Sequence, residues 1–169
     1  LCDNGFAVFD VDNVYANHTS GEKFEFGCPQ LLNAYHEAFE YIKSNYNVES
    51  QLCIIGASQG SFTAVNYQAF FANDVKMCVI SGPRIGLEWE WAIYGSLGIS
   101  ALFGYESTEY NSDYLKPFDI YTHINDNGYL TSKFCPSMWV FGGDDNIHVA
   151  ECDSLIDALK NSGYYAEKK

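Results

Sequence analysis

Within Gly56-Ala57-Ser58-Gln59-Gly60 a single hydroxyl is flanked by small residues. A serine hydroxyl is a weak nucleophile until a base takes its proton and nearby donors receive the charge it creates. The surroundings of Ser58 supply part of that requirement. An apolar run, LCII at 52–55, precedes the motif, and SFTAVNYQAFF at 61–71 follows it. GxSxG between a strand and a helix is a nucleophile elbow. Such a turn forces the serine into a strained backbone conformation, and the small residues at 56, 57 and 60 let strand and helix approach. Ser58 then projects above the sheet at the positive end of the helix. The Gln59 N–H points to the same place and is suited to holding an oxyanion. The chemistry implied is acyl transfer. The bland alternative is a Gly-rich strand-to-helix turn with an incidental serine.

The elements that must position this group follow from period and punctuation. Residues 5–11 (GFAVFDV) form a short β-rich run after Asp3-Asn4-Gly5, which predicts a strand. A polar stretch leads to Cys28, and Pro29 opens a helix, where its missing N–H costs nothing. Leu31, Tyr35, Ala38 and Ile42 recur there at helical spacing, with Leu32 and Phe39 widening the stripe. The runs at 52–56 and 75–80 are continuous and apolar, as expected for strands buried on both faces. Residues 62–71 read as a helix, and 138–141 (MWVF) as a further strand closed by Gly142-Gly143. Leu155, Ile156 and Leu159 mark a helix stopping at Gly163, and 164–169 lead toward another strand. Alternation of this kind predicts one α/β domain over 1–169 with a parallel sheet. The core is 1–83 and 134–169. The insert at 84–133, rich in Trp, Tyr, Phe and Gly, is too long for a plain connection and predicts a small cap or lid.

The chain resembles the central and C-terminal part of an α/β-hydrolase of the esterase and acyl-peptidase-like kind. The likeness lies in element order. Residues 5–12 resemble the family's fourth strand, 31–44 its next helix, 52–60 the fifth strand with its elbow, and 75–83 the sixth strand. The segment from Pro136 to Asp145 resembles the seventh, whose trailing loop carries the catalytic acid in this family, and 152–169 resemble the helix after that acid. The resemblance implies Asp144 or Asp145 as the acid. The family often has a serine eight residues after its acid; Cys152 stands there relative to Asp144, the preferred choice. The Gly-x-x-Asp pattern from Gly142 selects Asp145. Two solvated turn aspartates after a strand are common, and only the chain order Ser then Asp lifts this pair above them.

A hydrolase triad places its histidine after the acid and one further strand. His18, His36, His123 and His148 do not meet that requirement, so the catalytic histidine is expected outside this chain. The family's earlier strands, with the loop that supplies a second oxyanion donor, are expected before Leu1.

Three functions compete. The first is a serine hydrolase acting on small-molecule or glycan esters, or on peptides, with Trp89 and Trp91 of the insert lining its pocket; carboxylic esters, including carbohydrate esters, are preferred. The second is a non-catalytic hydrolase-like binding or structural module. The third, weakest, is a metal-dependent hydrolase using Asp144, Asp145 and His148, but no HxH or HExxH accompanies them. The serine chemistry calls for no cofactor, and GASQGS lacks the GxGxxG spacing of a dinucleotide site.

Composition narrows the partners. In 169 residues, 22 acidic and 9 basic side chains give a net charge of −13, which disfavours nucleic acid and anionic membranes. An apolar fraction of 47% excludes disorder, yet no run is long enough to span a bilayer. The six cysteines form no CxxC pair, which disfavours structural zinc. Cys53 and Cys78, inside apolar runs, read as buried thiols. Compartment and oligomeric state stay open.

Overall fold

A computed structural model describes residues 5–11, 26–84, 86–88, 91, 103, 110–120, 135–140 and 146–161. Helix α1 (Pro29–Asn45) opens on proline after Cys28, and the Tyr46 N–H closes its last turn on the Ile42 carbonyl at 2.9 Å. Strand β1 (Leu52–Ala57) leads through the serine turn into helix α2 (Gly60–Phe70). A 3-10 turn at Ala72–Asp74 then delivers the chain to strand β2 (Val75–Ser81). From the 84–133 segment come a short helix α3 (Ser112–Leu115) and a 3-10 turn at Lys116–Phe118. Strand β3 (Ser137–Val140) and helix α4 (Asn146–Asn161) complete the described elements.

The protein is therefore α/β, with a three-stranded parallel sheet in the order β1-β2-β3, flanked by helices. Ala57 stands beside Ser81 and Ser81 beside Val140, so all three strands end on one rim. In open parallel sheets the carboxyl rim is where ligands bind, because loops diverge there and helix N-termini face it.

One face of the sheet builds the core. Ile54, Cys78, Ile80 and Trp139 share a cluster with Phe62 and Val65 of α2. Leu31 of α1 and Leu155 and Leu159 of α4 join it, so all three long helices cover the same side. The opposite face carries Ile55, Met77, Met138 and Val140, all exposed, with Ile55 at 63%. Expectation and structure part here. The apolar runs predict strands covered twice, whereas among the described residues only one face is covered. Parallel strands bury both faces only when crossovers place helices on both sides.

A second correction concerns residues 5–11. They belong to no strand. A ladder needs a neighbour about 4.8 Å away, and no described strand offers one. The segment is held from the side instead. Tyr35 O–H donates to Asp10 Oδ1 at 2.5 Å, and the Phe9 ring stands 6.5 Å from that of Tyr35.

The described part of the 84–133 insert packs into the main core. Leu87, Trp91, Phe103, Leu115 and Ile120 are all buried in the cluster that holds Phe62 and Ile80. Asn66 of α2 ties this region down, donating to the Phe118 carbonyl at 3.1 Å. These residues belong to the domain's body. The further strand expected at 164–169 lies outside the described residues.

Candidate active site

The turn between β1 and α2 has the conformation its sequence demands. Ser58 has φ 50°, a left-handed backbone that side chains other than glycine rarely adopt. Such a conformation costs about 1–2 kcal/mol and survives only where the surroundings hold it. The holding contacts are specific. Ser58 N–H donates to the Ser81 carbonyl at 2.9 Å, extending the β1–β2 ladder by one rung. The Ser58 carbonyl accepts from Ser61 N–H at 3.1 Å and from Arg84 N–H at 3.3 Å.

A second serine completes the clamp. Ser61 is fully buried, and its Oγ lies 2.5 Å from the Ser58 carbonyl and 2.7 Å from the Arg84 carbonyl, either of which accepts its proton. The same oxygen accepts Arg84 N–H at 3.0 Å. Ser61 thus links the elbow to the chain leaving β2. Sequence reasoning missed it. The available signal was a hydroxyl three residues after Ser58, in the first turn of a helix, facing a neighbouring loop.

The two glycines of the motif differ. A Cβ on Gly56 would meet Ala64 Cβ and the Gly60 carbonyl oxygen at 2.7 Å each, so the strand and helix touch there. A Cβ on Gly60 would meet nothing within 4 Å among the described residues. The expected role of small residues in letting strand and helix approach holds at 56 and not at 60.

Ser58 itself is exposed on the carboxyl rim, and its Oγ makes no hydrogen bond among the described residues. The N–H groups of Gln59 and Gly60 stand at the start of α2, before the first intrahelical donors. They make no hydrogen bond among the described residues either. A nucleophile-type hydroxyl thus sits beside two uncommitted donors at the positive end of an 11-residue helix.

Other expected site residues fare differently. Asp144, Asp145 and Trp89 lie outside the described residues, as do His18 and His123. Strand β3 nevertheless brings the chain to the same rim, for Gly82 N–H donates to the Val140 carbonyl at 2.7 Å. Two strand spacings, about 10 Å, separate β1 from β3. The four residues from 140 to 144 reach up to roughly 14 Å. Trp91 is 3% exposed and packs against Phe103 and Tyr110, so it fills the core rather than an open pocket.

His36 is on the wrong end of the sheet for the serine. Its Nδ1 lies 3.1 Å from Asp74 Oδ2, and Asp74 directly precedes β2 at the amino rim. Seven residues of strand separate that level from Ser81, about 23 Å. The cluster there is ordered. The His36 ring stacks on Phe71 at 4.1 Å and 9°, and Tyr67 O–H donates to Asp74 Oδ2 at 3.5 Å. Burial above all, with the Asp74 carboxylate adding, holds the Tyr67 hydroxyl well above its usual range, so it stays a donor. Glu40, one turn after His36, pairs with Lys43 at 2.5 Å. That hydrogen bond holds its carboxyl below the ordinary range.

A cleft of about 1230 Å³ runs along the edge of β1 away from β2 and over the outer sheet face, lined by β1, α1, residues 5–10 and Met77 and Val79 of β2. Gly60 and Thr63 line it, but Ser58 and Gln59 do not. It is not the space above the serine.

What fold and site define is an α/β protein with an exposed serine on a left-handed strand-to-helix turn. No family model matches the sequence, and no curated protein matches it.

Proposed function

We propose that the chain carries the nucleophile of a serine hydrolase of α/β-hydrolase type, acting on carboxylic esters, carbohydrate esters among them. The observation that carries this reading is the left-handed backbone of Ser58 between β1 and α2. Non-glycine residues held in strained backbone cluster at functional sites, and Ser58 adds to that strain an exposed hydroxyl at a helix N-terminus, which Phe26, the other described non-glycine residue at positive φ, does not.

In the proposed reaction Ser58 Oγ attacks the ester carbonyl as a histidine takes its proton. The oxyanion of the tetrahedral intermediate accepts from Gln59 N–H, and the helix dipole of α2 adds to its stabilisation. Collapse expels the alcohol, which takes the proton back, and water then releases the acid from the acyl-enzyme. Asp144 or Asp145 would orient the histidine from the loop after β3. His36, about 23 Å away by strand length, is not that base.

The test is covalent. Incubation with a fluorophosphonate probe should place one adduct on the peptide containing Ser58, and Ser58→Ala should abolish it. A folded protein that neither takes the label nor hydrolyses an activated acetyl ester would refute the reading and leave the binding module.

A further inference from the structure

We propose that His36, Glu40 and Asp74 form a binding site for one divalent transition-metal ion, zinc in class, at the amino rim of the sheet. The site is independent of the serine reading, since it lies at the other end of β2.

Geometry supplies the first argument. His36 and Glu40 are four residues apart on α1 and therefore share a face, and Asp74 meets that face from the turn before β2. One donor atom from each of the three lies within 4.8 Å of the others. Two donors on a tetrahedral zinc at about 2.0–2.1 Å stand roughly 3.3 Å apart. His36 Nδ1 and Asp74 Oδ2, at 3.1 Å, are already near that separation. Glu40 has to move inward, and its half-exposed side chain is free to do so once it leaves Lys43.

The surroundings are those a ligating histidine and carboxylate need. Phe71 stacks on the imidazole and fixes its plane, while the Tyr67 hydroxyl stands 3.4 Å from Nδ1 and donates to Asp74. The bond to Asp74 is of the outer-shell kind that orients a ligand and tunes its basicity, whereas the hydroxyl has to withdraw from Nδ1 when that nitrogen takes the ion. One imidazole and two carboxylates suit zinc or a neighbouring first-row ion. All three residues are partly exposed, so water can complete the coordination.

Charge gives the proposal its sharpest consequence. Two carboxylates face one imidazole, and among the described residues the cation paired with them is Lys43, on Glu40 at 2.5 Å and above the Phe39 ring. The ammonium then competes with the metal for Glu40. If the cluster is only an ion pair joining α1 to the turn before β2, removing Lys43 creates no metal affinity.

Zinc titration of the purified chain by calorimetry, with cobalt absorption reporting geometry, decides the matter. One ion per chain is expected, with His36→Gln and Asp74→Asn each weakening it at least about tenfold. Glu37→Gln, on the neighbouring position of α1, should leave affinity unchanged. Lys43→Gln should tighten binding roughly two- to fivefold, the value of an exposed charge pair. No saturable zinc binding overturns the proposal. So does a curve unchanged in His36→Gln, which would put the ion elsewhere, the exposed Cys53 thiol included. Should Asp74→Asn unfold by circular dichroism, Lys43→Gln remains decisive: affinity equal to or below the unmodified protein refutes the site.

Discussion

Gly56 and Gly60 are the same residue at the two ends of one motif, and replacing each by alanine separates them. At Gly56 the added Cβ lies 2.7 Å from both Ala64 Cβ and the Gly60 carbonyl oxygen, where ordinary contact begins at 3.4 Å. Relief requires β1 and α2 to part by about 0.7 Å, and neither obstacle is a flexible side-chain tip. Overpacking of this kind costs about 1–3 kcal/mol. With a urea m-value of roughly 2 kcal/mol/M, the midpoint should fall by about 0.5–1.5 M. Moving α2 also displaces the Gln59 N–H from Ser58, so labelling by a fluorophosphonate should slow as well. Gly60→Ala meets nothing within 4 Å among the described residues. It should be neutral or gain up to about 1 kcal/mol, because alanine is the better helix former. Parallel urea melts followed by circular dichroism compare the two. If Gly60→Ala costs as much stability as Gly56→Ala, the contact between strand and helix described above is wrong.

Four further outcomes are expected. Ser58→Gly should be more stable than Ser58→Ala by about 1 kcal/mol, since only glycine relieves the left-handed backbone; both should resist the probe, and equal stabilities would argue against strain. Ser61→Ala removes a buried acceptor of Arg84 N–H and should cost about 1–3 kcal/mol while slowing, not abolishing, labelling at Ser58. On the sheet, Ile80→Ala should cost about 2–5 kcal/mol and Met138→Gln stay within about 0.5 kcal/mol; a large loss at Met138 in urea melts would mean that its face is covered. Burial pushes the Cys78 thiol up to about 12 from an ordinary 9.0, whereas Cys53 is exposed. Iodoacetamide at mildly alkaline pH should therefore modify Cys53 and spare Cys78, as mapped by mass spectrometry. Between pH 9 and 12 the unfolded chain loses the Cys78 proton first, so this group lowers stability as pH rises.

Much of the framework was legible in the residues. The stripe through Leu31, Tyr35 and Phe39 predicts α1 to within a residue or two, and Pro29 marks its start, because helical burial leaves a 3.6-residue period. The runs at 52–56 and 75–80 predict β1 and β2, and the motif between strand and helix predicts the turn at Ser58. The same code misleads at residues 5–11. Their composition favours a strand, but pairing is a property of two segments, and no described strand pairs with them. Cys53 fails for a related reason: its apolar neighbours say strand, while the side it faces depends on which side the helices take.

From the sequence alone came local conformation: an α/β alternation, a tight strand-to-helix turn at 56–60, and Ser58 within it as the proposed nucleophile. Those follow from periodicity and from the conformational preferences of Gly, Pro and short side chains, which act over a few residues. Only the tertiary structure decided that, among the described residues, one sheet face is covered and Gly56, not Gly60, is sterically required. It alone showed Ser61 clamping the elbow to Arg84, and His36 with Asp74 at the rim opposite Ser58. Each of these depends on contacts between residues distant in the chain, whose spacing no local pattern records.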